Sequence, residues 1–102
     1  MFFRDTSAYV SSAGDFERFK QAVGGRIQRR RKELGFTQER LAEIAEVDRK
    51  HISSIETGKA EPGMWTVFRI AGALQTTDTL LMAGLSWVPS EHGPGRLEQE
   101  ES

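Results

Sequence analysis

Two residues, Glu46 and Val47, are all that the chain provides for leaving one helical pattern and entering the next. Before them, Leu41, Ala42 and Ala45 share one face of a segment that Thr37 can cap and that carries Glu39 in its first turn. After them, Asp48 can cap a segment whose apolar residues Ile52 and Ile55 again share a face, until Gly58 ends it. Helices joined by so short a break must cross at a steep angle, about 90–120°. Each must also find cover for its apolar face.

The rest of the chain supplies that cover. Phe16, Phe19, Val23, Ile27, Arg30 or Arg31, and Leu34 follow at spacings of three and four, which predicts a first helix from about 15 to 34, with Asp15 as its cap and Gly35 as its left-handed terminator. Gly24 and Gly25 weaken it, by about 1 kcal/mol each relative to alanine. A loop over 59–63 leads to a fourth helix that offers Trp65, Phe68, Ile70, Ala71 and Leu74 to the core. Thr77 or Asp78 opens a short fifth helix with Leu80, Leu81 and Met82. No convincing alternating strand and no internal repeat is present. The expected fold is all-α, a five-helix domain over 15–84. A flexible arm over 1–14 precedes it, with Phe2, Phe3, Tyr9 and Val10 among small residues. A C-terminal tail over 85–102 follows, polar and rich in Gly and Pro from Ser90 and expected to be disordered there, with Leu85, Trp87 and Val88 as its packing candidates.

Composition narrows the function. The absence of cysteine removes disulfides, iron–sulfur clusters and thiolate zinc sites. His92 stands alone in the tail, so no metal ligand set is visible. There are no paired carboxylates in an apolar setting, no Ser/His/Asp logic and no phosphate-cradling glycine loop, so an enzyme is not expected and no cofactor is implied. No effector domain for a small-molecule inducer is visible. The opening residues do not read as a signal peptide and no stretch approaches membrane-spanning length, so the expected place is the cytoplasm. The net charge of −1 conceals an asymmetry: residues 18–50 hold ten basic side chains against five acidic ones, and the remainder holds four against ten. A basic face matters more to a polyanion than the total does.

The third helix gives that asymmetry a direction. With Ile52 and Ile55 inward, Arg49, Lys50, Ser53 and Ser54 face solvent. Two long cations followed one turn later by small hydroxyls suit a helix seated in the ~12 Å major groove of DNA. The plain alternative is a solvated helix face.

Here the chain resembles a known family. Thr37, Gln38, Glu39, Arg40, Leu41 and Ala42 resemble the "(T/S)QEELA" opening of the Cro/lambda-repressor-like (Xre) regulators. Residues 47–59 resemble their recognition helix and its exit, "V-x-R-x-x-I-S-x-I-E-x-G-K", and Pro62, Thr66, Val67, Ile70, Ala71, Ala73 and Leu74 resemble their fourth helix. The resemblance covers about residues 20–84. The run from Asp48 to Ser53 is also similar to the controller proteins of restriction–modification systems.

The resemblance implies a lambda-repressor-like fold and roles by position. Gln38 anchors a phosphate and braces the reading helix. Arg49, Lys50 and Ser54 read bases, Ser53 lies on the same groove-facing side, and Lys59 sits beside the DNA backbone. His51 is either a packing residue or a phosphate contact. Arg31 pairs with Glu56, clamping helix one to helix three; the alternative, a phosphate contact, would leave an isolated charge near the core. Four positions depart from the pattern: Glu46 and Gln75 stand where the family favours glycine, Gly63 replaces a capping serine, and Asp48 puts an acid near phosphates.

The implied partner is double-stranded DNA, read by a homodimer, because one such module contacts too few base pairs to be selective. Phe2, Phe3 and Trp87 are candidate dimer contacts; burial of Trp87 within its own chain is the alternative. A polymerase contact is a further expected partner. The competing function is an antitoxin-type or adaptor protein on the same fold, with residues 85–102 binding a toxin or other protein.

Overall fold

The structure, a computed structural model, describes residues 6–100. Five helices come first: α1 (Thr6–Glu33), α2 (Gln38–Ala45), α3 (Arg49–Glu56), α4 (Met64–Ala73) and α5 (Asp78–Leu81). A two-stranded antiparallel sheet, β1 (Leu85–Val88) and β2 (Arg96–Gln99), follows. The chain separates into two compact units. One is Lys20–Ala83; among the described residues, the other combines 6–19 with 84–100.

In the Lys20–Ala83 unit, α2 packs on α3 and α4, and α4 on α5. Ile27 of α1, Leu41 of α2, Ile52 and Ile55 of α3, Ile70 of α4 and Leu74 at its end are completely buried. Each such side chain contributes about 1.5–3 kcal/mol relative to exposure. Gly24 explains how α1 comes so near: a Cβ added there would lie 2.0 Å from the backbone oxygen of Ile55. The cost of a glycine inside the helix is thus offset by close approach to the end of α3. Gly25 meets nothing within 4 Å. Two arginines of α1 serve distant helix ends: Arg26 Nη1 donates to the carbonyl of Leu81 (3.0 Å) and Arg30 Nε to that of Leu74 (2.9 Å). Both satisfy carbonyls that a helix terminus leaves without an internal partner.

Trp65 and Phe68 are not in the core. They are 66% and 61% exposed and stack on each other with centroids 5.8 Å apart. The reason is helical phase. Trp65 and Leu74 are nine residues apart, which at 3.6 residues per turn is two and a half turns and places them on opposite faces. Ile70, Ala71 and Leu74 take the inward face.

The other unit corrects three further expectations. The first helix begins at Thr6, not near Asp15, so the segment after Asp5 that was expected as a flexible arm is helical. Phe2 and Phe3 lie outside the described residues. Asp15 is therefore not a cap. Its carboxylate accepts a hydrogen bond from the amide of Leu97 (3.0 Å) and another from Arg18. The Leu97 amide, then Arg18, hold its carboxyl below the usual carboxylate range. Residues 96–99 are also not disordered: they pair with β1 in the register Trp87↔Leu97, and Leu97 is buried. The ladder is extended by the amide of Glu100 donating to Gly84 (2.9 Å). Trp87 remains 58% exposed and lies against Gly95, where an added Cβ would sit 2.7 Å from two ring carbons.

Candidate nucleic-acid interface

Local chemistry builds the turn between α2 and α3. Thr37 Oγ1 accepts from the amide of Arg40 (3.0 Å), and Asp48 accepts from the amide of Lys50 (2.9 Å), so each helix has its own side-chain N-cap. α2 closes through Glu46, which adopts the left-handed conformation (φ 59°, ψ 46°), while the amide of Val47 reaches back to the carbonyl of Ala42 (2.9 Å). This is the helix-ending geometry that favours glycine, and a side chain there is strained by about 1–2 kcal/mol. Gln75, after α4, also has a positive φ (59°). Gly63 precedes α4 without a side-chain cap.

α3 turns Ile52, Ile55 and Glu56 inward. Arg49 and Lys50 in its first turn are exposed, and His51, Ser53 and Ser54 are half-buried. Lys59 is exposed in the loop that follows, its amide bonded to the carbonyl of Ser54 (2.9 Å). Thr57 donates its hydroxyl to the carbonyl of Ser53 (3.0 Å).

Beneath this face lies a charged network. Arg31 and Glu56, each less than one-tenth exposed, form a bidentate pair: Arg31 Nε donates to Glu56 Oε2 (2.7 Å) and Nη2 to Oε1 (3.0 Å). Arg31 Nη1 also donates to the carbonyl of Phe36 (2.7 Å). The hydrogen bond to Glu56 raises the pKa of Arg31 further above its ordinary value, so the guanidinium stays charged. Gln38 extends the network outward. Its Nε2 donates to Glu56 Oε1 (3.0 Å), and its Oε1 accepts from Arg49 Nη1 (3.4 Å). Glu39 lies on the other side of Arg49, 3.9 Å from Nε. The exposed arginine at the head of α3 is therefore linked through one amide side chain to a buried ion pair. That link restricts its conformations before any ligand arrives, lowering the entropy lost on contact.

Of the residues singled out by sequence, Gln38, Arg49, Glu56 and Arg31 form one connected group. Lys50, Ser53 and Ser54 line the same side of α3, and Lys59 stands apart in the loop. One residue was missed. Arg69 of α4 donates from Nη1 to the carbonyl of Glu46 (2.9 Å), with its guanidinium carbon 5.6 Å from the ring centroid of Trp65. A long cation 23 residues from its acceptor leaves no local signal in the sequence. Among the described residues no cluster of His, Cys, Asp and Glu could hold a metal ion, and no helix is long and apolar enough to cross a membrane.

Comparison with known proteins gives a consistent picture. A helix-turn-helix family model matches residues 27–81. An HTH-type transcriptional regulator of Methanothermobacter thermautotrophicus is 48% identical over 48 residues, covering 47% of this chain and 70% of that protein. Among solved structures, the restriction–modification controller protein C.AhdI of Aeromonas hydrophila superposes with a TM-score of 0.60 at 26% identity, over 61% of this chain and 94% of the other. The DNA-binding domain of the P22 c2 repressor gives 0.59 at 32% identity, over 61% and 82%.

Proposed function

The chain belongs to the helix-turn-helix family of transcriptional regulators, of the Xre/Cro type, and from that premise we propose that α3 reads base edges in the major groove of double-stranded DNA. The observation that carries this reading is the pairing of two exposed cations, Arg49 and Lys50, with a rigid support: Gln38 holds Arg49 from the buried Arg31–Glu56 pair. Arginine presents a planar fork that suits guanine O6 and N7. Ser53 and Ser54, one turn on, keep the helix slim enough to seat and supply short hydroxyls. Lys59 and His51 meet phosphates at the edge of the groove, fixing register without carrying sequence information. Gln38 joins them with whatever donor capacity its bond to Glu56 leaves free.

Selectivity in a genome calls for two copies on a two-fold symmetric site, with half-sites ~34 Å apart. A mass in sedimentation that stays monomeric at every concentration, with and without DNA, would remove the dimer from this proposal. The reading as a whole is tested by selection from a randomised duplex pool with wild type and Arg49→Ala. Enrichment of one site by the wild type, with preference lost at one base pair per half-site in the variant, is expected. The cost at that position is about 1–3 kcal/mol. No enrichment even at low salt, where phosphate attraction is strongest, would overturn it.

A further inference from the structure

We propose that Arg69, outside the helix-turn-helix unit, is a positioning residue for sequence reading: it holds the α2–α3 turn in the geometry that aims α3. The inference rests on the DNA-reading function proposed above and adds a residue and a mechanism to it.

The turn needs an external restraint because of what occupies it. Glu46 holds a left-handed conformation that glycine adopts without strain and glutamate does not. Its carbonyl leads directly into Val47 and Asp48, the cap of α3. Rotation of the peptide plane at Glu46 therefore re-aims the whole reading helix. Arg69 Nη1 grips that carbonyl at 2.9 Å from a different helix.

The grip is itself supported. The guanidinium lies over the ring of Trp65, one turn back along α4, and Trp65 is stacked on Phe68 at an interplanar angle of 21°. Arg69 Nε is buried and has no hydrogen-bond acceptor. A desolvated N–H of a charged group persists only where its surroundings impose it. Trp65, Phe68 and Arg69 thus act as a bracket bolted to α4, whose inward face is fixed by Ile70, Ala71 and Leu74. This also accounts for two aromatic rings standing outside the core: they shape a cation, not a hydrophobic interior.

A bracket of this kind controls angle more than stability. Bulk phosphate attraction tolerates a few degrees of error in α3, whereas bidentate base contacts do not. The test uses the full-length protein and two duplexes: the sequence that the wild type enriches from a randomised pool, and a scrambled version of it. The expected result for Arg69→Gln is a drop of about tenfold or more in the ratio of specific to scrambled affinity, comparable with loss of one good base contact. Its scrambled-duplex affinity stays within about twofold of wild type, since phosphate contacts are untouched. Arg69→Lys, which keeps a donor and loses the planar stack, falls between. Trp65→Leu reproduces part of the loss without touching the hydrogen-bonding atoms.

The double variant Glu46→Gly/Arg69→Gln separates positioning from general destabilisation. Glycine makes the left-handed turn intrinsically favourable, so the ratio is expected to recover toward wild type. A wild-type ratio in Arg69→Gln overturns the proposal, as does a double variant as poor as the single one. Failure of the wild type to enrich any sequence removes the DNA-reading function itself, and the bracket with it.

Discussion

Gly24 and Gly25 are neighbours in α1 with opposite surroundings, so the same substitution at each is expected to move stability in opposite directions. At Gly25 a methyl group enters open space. Alanine there removes conformational freedom from the unfolded chain and is worth about 0.5–1 kcal/mol to a helix interior. At Gly24 the new Cβ would sit 2.0 Å from Ile55 O, 3.1 Å from the Ile55 carbonyl carbon and 3.2 Å from Glu56 O. An ordinary C···O contact is about 3.3–3.6 Å, so α1 and the end of α3 must part by more than about 1 Å. All three neighbours are backbone atoms, and Ile55 O is already committed to the amide of Gly58 (3.0 Å). Overpacking of this sort costs about 1–3 kcal/mol, before the separation is felt by the Glu56 carboxylate that Arg31 and Gln38 hold. Urea and thermal melts followed by far-UV circular dichroism compare both variants with wild type. The midpoint should rise for Gly25→Ala by about 2–8 °C and fall for Gly24→Ala by at least as much. A Gly24→Ala protein as stable as Gly25→Ala would refute the close approach of α1 to α3.

Other outcomes follow from the same contacts. Arg31→Ala, or Glu56→Ala, leaves the partner charge buried and should cost about 3–5 kcal/mol in denaturant melts. Lys59→Ala should weaken binding to specific and scrambled duplexes alike and reduce the slope of log affinity against log salt by about 1, whereas Arg49→Ala should change base preference. The pKa of Asp15 is lowered in the folded chain, chiefly by the Leu97 amide. Its contribution is therefore complete above the unfolded carboxylate pKa of about 3.9 and is lost as pH falls through the lower folded value. Acid titration of the Leu97 amide resonance should show that loss, and Asp15→Asn should abolish it. Glu46→Gly alone should raise stability by about 1 kcal/mol, read from the same melts, by removing left-handed strain.

What was legible in the sequence was what local chemistry decides. Thr37 and Asp48 cap α2 and α3 because a short oxygen at that position meets an amide two or three residues on. Gly35 and Gly58 end helices with φ of 74° and 75°. Ile52, Ile55, Ile70 and Leu74 declared themselves by spacing. What was hidden depends on partners far along the chain. Arg26 and Arg30 donate to carbonyls 55 and 44 residues away, which no local pattern announces. Trp65 and Phe68 are an exception: they read as core because large aromatics usually are, although the spacing of Trp65 from Leu74 already sets those two on opposite faces. The β1–β2 pairing leaves little trace in the sequence because each strand has four residues and the connection between them is long and polar. Asp15 reads as a helix cap until a strand more than eighty residues later supplies its amide. At the site, pattern alone gave the exposure of Arg49 and Lys50, whereas Ser53 and Ser54, expected to face solvent with them, are half-buried; the bond from Arg49 to Gln38 and the grip of Arg69 on Glu46 are tertiary facts.

The hydrogen bond between Asp15 and Leu97 spans 82 positions, and that separation sets an order of events during synthesis. Ribosomes add about 5–20 residues per second, so Asp15 waits on the order of 4–16 s for its donor to be made. Helix formation takes about a microsecond. The last residue of the Lys20–Ala83 unit is made only 14 positions before Leu97, about 1–3 s earlier, which is still long on that scale. Until Leu97 is made, Asp15 lacks the amide that it binds in the finished chain. A message cut short before Leu97 would leave the Asp15 carboxylate without that donor.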